Sequence, residues 1–99
     1  MKKQSNQFII LKREKNLLLD RLRNYVVYIN DQQVGKIKNG EEKKIKVDNG
    51  THNVHLKIDW EGSNKLKILV KNKNVYLECG FNGGTKFLGR NYIYLRKKT

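Results

Sequence analysis

Apolar side chains recur at every second residue through most of this chain, and that spacing restricts it to a fold built of β-strands. The clearest case is residues 53–60, where the apolar residues are Val54, Leu56, Ile58 and Trp60. Residues 41–47, 65–70 and 75–79 repeat the alternation. Because consecutive side chains of a strand point to opposite faces, one set fills an interior and the other meets water.

Turn residues separate these segments. Asn39-Gly40 and Asn49-Gly50 are pairs that adopt positive φ easily, so they predict tight hairpins. Asn30-Asp31 predicts another turn, between strands 25–29 and 33–37. Residues 61–64 and 72–74 interrupt the later strands.

The segments at either end are shorter. Residues 8–11 and 92–95 predict a first and a last strand. Over residues 16–23, Leu18, Leu19 and Leu22 fall at helical spacing, which is compatible with a short helix. The alternative is an apolar loop over one end of the core, and a loop or a single helical turn is preferred. Residues 80–84 predict a flexible break.

The pattern predicts an all-β fold, namely an antiparallel sandwich of seven or eight strands with hairpin connections. We expect one domain over residues 1–99, with an ordered core from 7 to 96 and basic ends. The predicted interior consists of Val27, Ile29, Val34, Ile45, Val47, Val54, Leu56, Ile58, Trp60, Leu66, Ile68, Val70, Val75 and Leu77.

Charge is the strongest feature of the composition. The chain has 22 Lys and Arg against 9 Asp and Glu, a net charge of +13. Such a charge attracts nucleic acid and other anions. However, 17 Lys and 12 Asn indicate a compositional bias, and only 5 of the cations are Arg, which is favoured for bidentate phosphate recognition. We therefore prefer to interpret the lysines as ordinary solvated surface charge, and nucleic-acid contact is the alternative.

We expect neither a membrane span nor an export signal. Its longest apolar runs, residues 8–11 and 17–19, are far shorter than the roughly 20 residues of a membrane span. A lone cysteine, Cys79, excludes an internal disulfide and fits a reducing compartment. We expect a cytoplasmic protein, or one associated with the cell envelope if the chain is part of a longer one.

Motifs in the middle third resemble a known family. Val-Tyr-Ile-Asn-Asp with Val-Gly-Lys-Ile over residues 27–37, Asn-Gly-Glu over 39–41 and Val-Asp-Asn-Gly-Thr-His over 47–52 resemble PEGA-type, carboxypeptidase-regulatory-like β-sandwich modules of bacterial proteins. Two positions depart from that family: Asp31 replaces its usual glycine, and Asn49 replaces a common proline. The resemblance implies a non-enzymatic accessory or adhesion-like module, while its turn motifs specify architecture better than activity.

Catalytic, cofactor and metal chemistry are not expected. His52 and His55 are three positions apart on one strand, so they point to opposite faces, and no further ligands accompany them. The resemblance implies that His52 bonds nearby backbone. Cys79 falls on an inward register and is expected to be a buried hydrophobe. The glycine-rich residues 80–86 lack the order of a phosphate-binding loop.

Binding is the predicted function. Lys44, Lys46, Lys57, Lys65 and Lys67 fall on outward registers, and they form one cationic face if their strands are neighbours. Phe81 is a further candidate contact on the predicted loop. We expect an interaction module of a bacterial or phage protein whose partner is a protein or an anionic surface. The alternative is a nucleic-acid-binding protein, or a small inhibitor, acting through the lysines.

Overall fold

The protein is all-β, as predicted. The computed structural model describes residues 7–15, 17, 22–59, 61–81 and 93–98, with no α-helix among them. Its strands are β1 (Gln7–Arg13), β2 (Tyr25–Ile29), β3 (Gln32–Ile37), β4 (Glu42–Val47), β5 (Gly50–Ile58), β6 (Glu61–Gly62), β7 (Leu66–Val70), β8 (Val75–Phe81) and β9 (Ile93–Lys97). Within these ranges, no helix has the length and apolar character that crossing a membrane requires.

The strands form two sheets. The β1 sheet has the order β4-β1-β8-β9, and the β5 sheet has the order β3-β2-β5-β6 with β7 also paired to β5. β1 and β8 run parallel, whereas the other pairs are antiparallel. The prediction of an entirely antiparallel fold is therefore wrong for this pair. A parallel pair requires a long crossover, and here the chain builds the β5 sheet between β1 and β8.

The predicted turns are present, but only one of the three Asn-containing pairs closes a hairpin. Asn30 and Asp31 have φ of 53° and 65°, and β2 and β3 pair across them. Gly40 and Gly50 also have positive φ, of 77° and 130°. Their turns nevertheless connect strands of different sheets, so the hairpins predicted there are wrong. Turn residues set a local change of direction, and the pairing partner is decided elsewhere.

The interior is one hydrophobic cluster to which both sheets contribute. Of the predicted core, Val27, Ile29, Val47, Val54, Leu56, Ile58, Ile68, Val70 and Leu77 are buried, and Ile45, Leu66 and Val75 pack partly buried against them. Cys79 is buried as predicted, and burial raises the pKa of its thiol to about 12. Trp60 lies outside the described residues.

Val34 is the predicted core residue that proves wrong, with 42% of its surface exposed. In the β2–β3 pairing, Val27 lies opposite Gly35 and Tyr28 opposite Gln33, so Val34 is the extra residue of a bulge. The bulge shifts the alternation beyond it. Ile37, which was not predicted to be in the core, is fully buried as a result.

The segment over residues 16–23 is described at few positions. Leu17 and Leu22 are 81% and 80% exposed, so neither side chain covers the core. Leu18 and Leu19, on which the helical spacing depended, lie outside the described residues. The predicted choice between a loop and a helical turn therefore stays a prediction.

Candidate functional site

The predicted cationic face is divided between the two sheets. Lys44 and Lys46 lie on β4 at an edge of the β1 sheet. Lys57 and Lys67 lie on β5 and β7 of the other sheet, and Lys65 directly precedes β7. One continuous face of five lysines required their strands to be neighbours, and this condition is not met, because the chain passes from one sheet to the other between β4 and β5.

Four lysines lie on the outer surface of the β5 sheet. Lys57 is opposite Val26 of β2, which in turn is opposite Lys36 of β3. Lys67 is opposite Asn53 of β5. Lys36, Lys57, Lys65 and Lys67 are all exposed, and we call them the lysine face. The sequence indicated three of them, whereas the register of Lys36 depends on the bulge at Val34.

Carboxylates are missing from the strands that carry this face. β2, β3, β5 and β7 contain no Asp or Glu. Two acidic groups are recorded at the ends of these strands. Asp59 follows β5 and pairs with Arg23. Asp31 lies in the β2–β3 turn, and its Oδ1 is 3.9 Å from Lys65 Nζ. Both side chains are well exposed, so this ion pair neutralises little of the positive charge.

An aromatic pair stands among these lysines. Tyr28 of β2 lies opposite His55 of β5, and their rings stack with centroids 4.8 Å apart and planes 6° from parallel. Lys57 Nζ lies 5.6 Å from the centroid of the Tyr28 ring. Tyr28 alternates with the buried Val27 and Ile29, but its stacking depends on the β2–β5 pairing.

The surroundings of the His55 imidazole favour its neutral form by lowering its pKa. Partial burial and the neighbouring charge of Lys65 lower the pKa of His55 below its ordinary 6.5, against an opposing effect of Asp31. Its Nδ1 atom is buried, and none of the described groups forms a hydrogen bond with it. A neutral ring beside lysines makes the face a combination of flat π-surface and positive charge.

The outer surface of the β1 sheet is different because it mixes both signs of charge. Lys44 Nζ lies 4.9 Å from the ring centroid of Phe8. Farther along, Arg96 Nε lies 2.5 Å from Glu78 Oε2, and the Tyr94 hydroxyl donates a hydrogen bond to Glu14. This surface is therefore a weaker attractor of anions than the lysine face.

Phe81 is not on a loop. It is the last residue of β8, opposite Ile93 of β9, and is half-buried. Gly80 is also a buried strand residue, and a side chain there would meet the ring of Tyr94. The prediction of an exposed loop aromatic is wrong at this position, and residues 82–86 lie outside the described part of the chain.

The histidine predictions about geometry are confirmed. His52 Nε2 lies 2.8 Å from the backbone oxygen of Asp48, and Nδ1 lies 3.0 Å from Asn30 Nδ2. His52 is opposite the buried Ile68, whereas His55 pairs with the outward-facing Tyr28, so the two point to opposite faces. Across the described ranges, His, Cys, Asp and Glu form no group of three that would hold a metal ion.

A cleft of about 490 Å³ lies between β3 and β4, where the two sheets are not joined. Its walls include Ile29, Val34, Ile45 and Val47, and His52 lies at its polar rim. The cleft explains how Val34 remains exposed while lying near the core.

The comparisons with protein-family models, curated proteins and solved structures give no match to this chain. The resemblance to PEGA-type modules therefore stays a prediction. The chemistry of the described residues is what indicates a function.

Proposed function

We propose that this protein is a non-enzymatic binding module, a β-sandwich of the PEGA type, that holds an anionic partner on its lysine face. One observation carries the proposal. Four exposed lysines share the outer surface of strands that contain no carboxylate. Electrostatic complementarity of this kind steers an oppositely charged partner and fixes its orientation.

The distribution of charge supports a local site rather than a diffuse field. The net charge of +13 acts over the whole surface. On the outer surface of the β1 sheet, however, the carboxylates of Glu14, Glu42 and Glu78 lie between the cations. The lysine face has no such partners on its own strands. An anion therefore gains more on the β5 sheet than on the β1 sheet.

The chemistry of Cys79, the lone cysteine, supports a binding role. A nucleophilic thiol acts as the thiolate, and burial raises the pKa of the Cys79 thiol to about 12. At neutral pH Cys79 is therefore a protonated interior side chain. We propose that the function is recognition without covalent chemistry.

Replacing the four lysines tests the proposal. In the lysine-face variant, Lys36, Lys57, Lys65 and Lys67 are each changed to Gln. Heparin serves as the anionic probe, with its affinity measured by calorimetry over a salt series. We expect the variant to bind at least tenfold more weakly, and the slope of log K against log salt to fall by about three, since each contact contributes roughly 0.7–0.9.

A matched control separates the site from the total charge. In the lysine-control variant, Lys44, Lys46, Lys71 and Lys73 are changed to Gln, so that both variants fall from +13 to +9. We expect the control variant to keep most of its affinity for heparin. If both variants lose affinity equally, the net charge binds the anion and the proposed site is wrong.

A further inference from the structure

The Tyr28–His55 pair gives the lysine face a property that charge alone does not explain. Both side chains are half-buried on the outer surface of the β5 sheet, and their rings are nearly parallel. A cross-strand pair of stacked rings fixes both side chains in one orientation. The pair is therefore an ordered platform of two nearly parallel rings on the outer surface of the sheet.

Lysines from β5 and β7 place positive charge along one side of this platform. Lys57 Nζ is 5.6 Å from the Tyr28 ring. Leu66 is opposite Val54, so Lys65, one residue earlier, falls beside His55. Lys67 follows two residues along the same strand, about 6.6 Å farther on. Cations thus line one side of the rings in a row.

Among anionic partners, a single-stranded nucleic acid matches both features. Its phosphates suit the row of lysines, and its unpaired bases offer flat faces for stacking. A duplex keeps its base faces covered by neighbouring pairs, and an anionic lipid or acidic protein surface has no comparable series of rings. The neutral form of the His55 imidazole, which its surroundings favour, also suits stacking against a base.

We propose that the lysine face binds single-stranded nucleic acid, with a base stacked on the Tyr28–His55 pair and phosphates held by Lys57, Lys65 and Lys67. This inference rests on the proposed function, because it uses the same lysines. It adds the class of ligand and two aromatic contacts. Stacking of one base contributes about 1–3 kcal/mol, so sequence preference is expected to be weak.

The test uses three probes and an aromatic variant. The probes are a fluorescein-labelled oligonucleotide of twelve thymidines, its duplex with twelve adenosines, and heparin. The platform variant carries Tyr28→Val and His55→Val, which keep β-branched residues on both strands. We expect the wild type to bind the single strand at least tenfold more tightly than the duplex. The platform variant should lose ten- to a hundredfold in single-strand affinity and keep its heparin affinity.

A control variant removes two rings from the other sheet. Phe8→Val with Tyr76→Val replaces side chains on the outer surface of the β1 sheet, where Tyr76 is 50% exposed. We expect its affinity for the single strand to stay within threefold of the wild type. Equal losses in the two variants would show that the rings act through stability and would overturn the inference.

A measurement on the wild type removes dependence on the variants' folding. Proton NMR during titration with the oligonucleotide should move the His55 and Tyr28 ring signals upfield, because a stacked base shields them. Inorganic phosphate should leave the same signals in place. Ring signals that do not respond to the oligonucleotide, or a duplex bound as tightly as the single strand, would overturn the inference.

The two proposals fail in different ways. If the lysine-face variant keeps its heparin affinity, the anionic site itself is wrong. If that variant loses heparin affinity while the platform variant binds the thymidine oligonucleotide like the wild type, only the nucleic-acid inference is wrong.

Discussion

Arg13 is the most unusual residue of the interior. It is fully buried at the end of β1, and its guanidinium lies 3.6 Å from the centroid of the Tyr25 ring. Nη1 donates hydrogen bonds to the backbone oxygens of Arg23, at 2.7 Å, and Ile37, at 3.0 Å. These contacts join β1 to the start of β2 and the end of β3, which belong to the other sheet.

Replacing Arg13 with lysine should destabilise the fold. A lysine ammonium lacks the planar group that stacks on Tyr25 while bonding two carbonyls, so desolvation is no longer compensated. We expect Arg13→Lys to lower the free energy of unfolding by about 2–3 kcal/mol, from urea titrations followed by circular dichroism.

Arg96→Lys is the matched control for that change. Arg96 is exposed on β9, paired with Glu78 and stacked near Tyr94. Because exposed pairs contribute little, we expect a loss below about 1 kcal/mol. Equal effects of the two substitutions would mean that the buried contacts of Arg13 carry no special stability.

The β2–β3 hairpin shows how one element depends on its turn. Asn30 and Asp31 both have positive φ, of 53° and 65°. A residue with a Cβ is strained in this region, although Asn and Asp tolerate it better than most. The hairpin is formed with a turn residue that is not the best available.

Asp31→Gly should therefore stabilise the protein. We expect a gain of about 0.5–1 kcal/mol in the free energy of unfolding, after the greater flexibility of glycine in the unfolded chain is subtracted. Urea titration measures this gain. The same substitution also removes the carboxylate nearest the lysine face, so heparin affinity should rise slightly.

Asp48→Gly provides the comparison. Asp48 is exposed next to another turn, and it is not among the residues with positive φ. Glycine there only adds freedom to the unfolded chain, so we expect a small loss of stability. A gain at both positions would contradict the explanation by backbone strain.

The sequence predicts where the strands lie better than it predicts which strands pair with each other. Alternation located β5 and β7 and correctly directed Val54, Leu56 and Ile58 inward. Period-two spacing reports only which side of its own strand a residue faces. It does not report that β4 pairs with β1 rather than β5, since that choice depends on contacts distant in sequence.

In the candidate site, too, the features of single strands were predicted and the contacts between strands were not. The outward registers of Lys57 and Lys67 follow from their own strands and were predicted. The stacking of Tyr28 on His55 needs the β2–β5 register, and the place of Lys36 needs the bulge at Val34. The local pattern does not predict that bulge, because Val34 is apolar and has the spacing of a core residue.

The whole molecule combines a charge of +13 with widths of only 25 and 24 Å along its two shorter axes. Salt screens charges over about 30 Å at 10 mM and about 8 Å at 150 mM. At the lower concentration, lysines on opposite surfaces repel one another through the full width of the fold. At the higher one, repulsion acts mainly between neighbours. The folded state therefore carries a self-repulsion that unfolding relieves.

Raising sodium chloride from 10 to 150 mM should increase the free energy of unfolding by an amount on the order of 1 kcal/mol. Urea titrations at the two concentrations measure the increase. The lysine-face and lysine-control variants both have a charge of +9, so both should show a smaller increase than the wild type, and the two should be similar. Binding depends on where the lysines are, whereas this repulsion depends on how many there are. A salt response that drops only in the lysine-face variant would show that repulsion is concentrated on that face, not spread over the molecule.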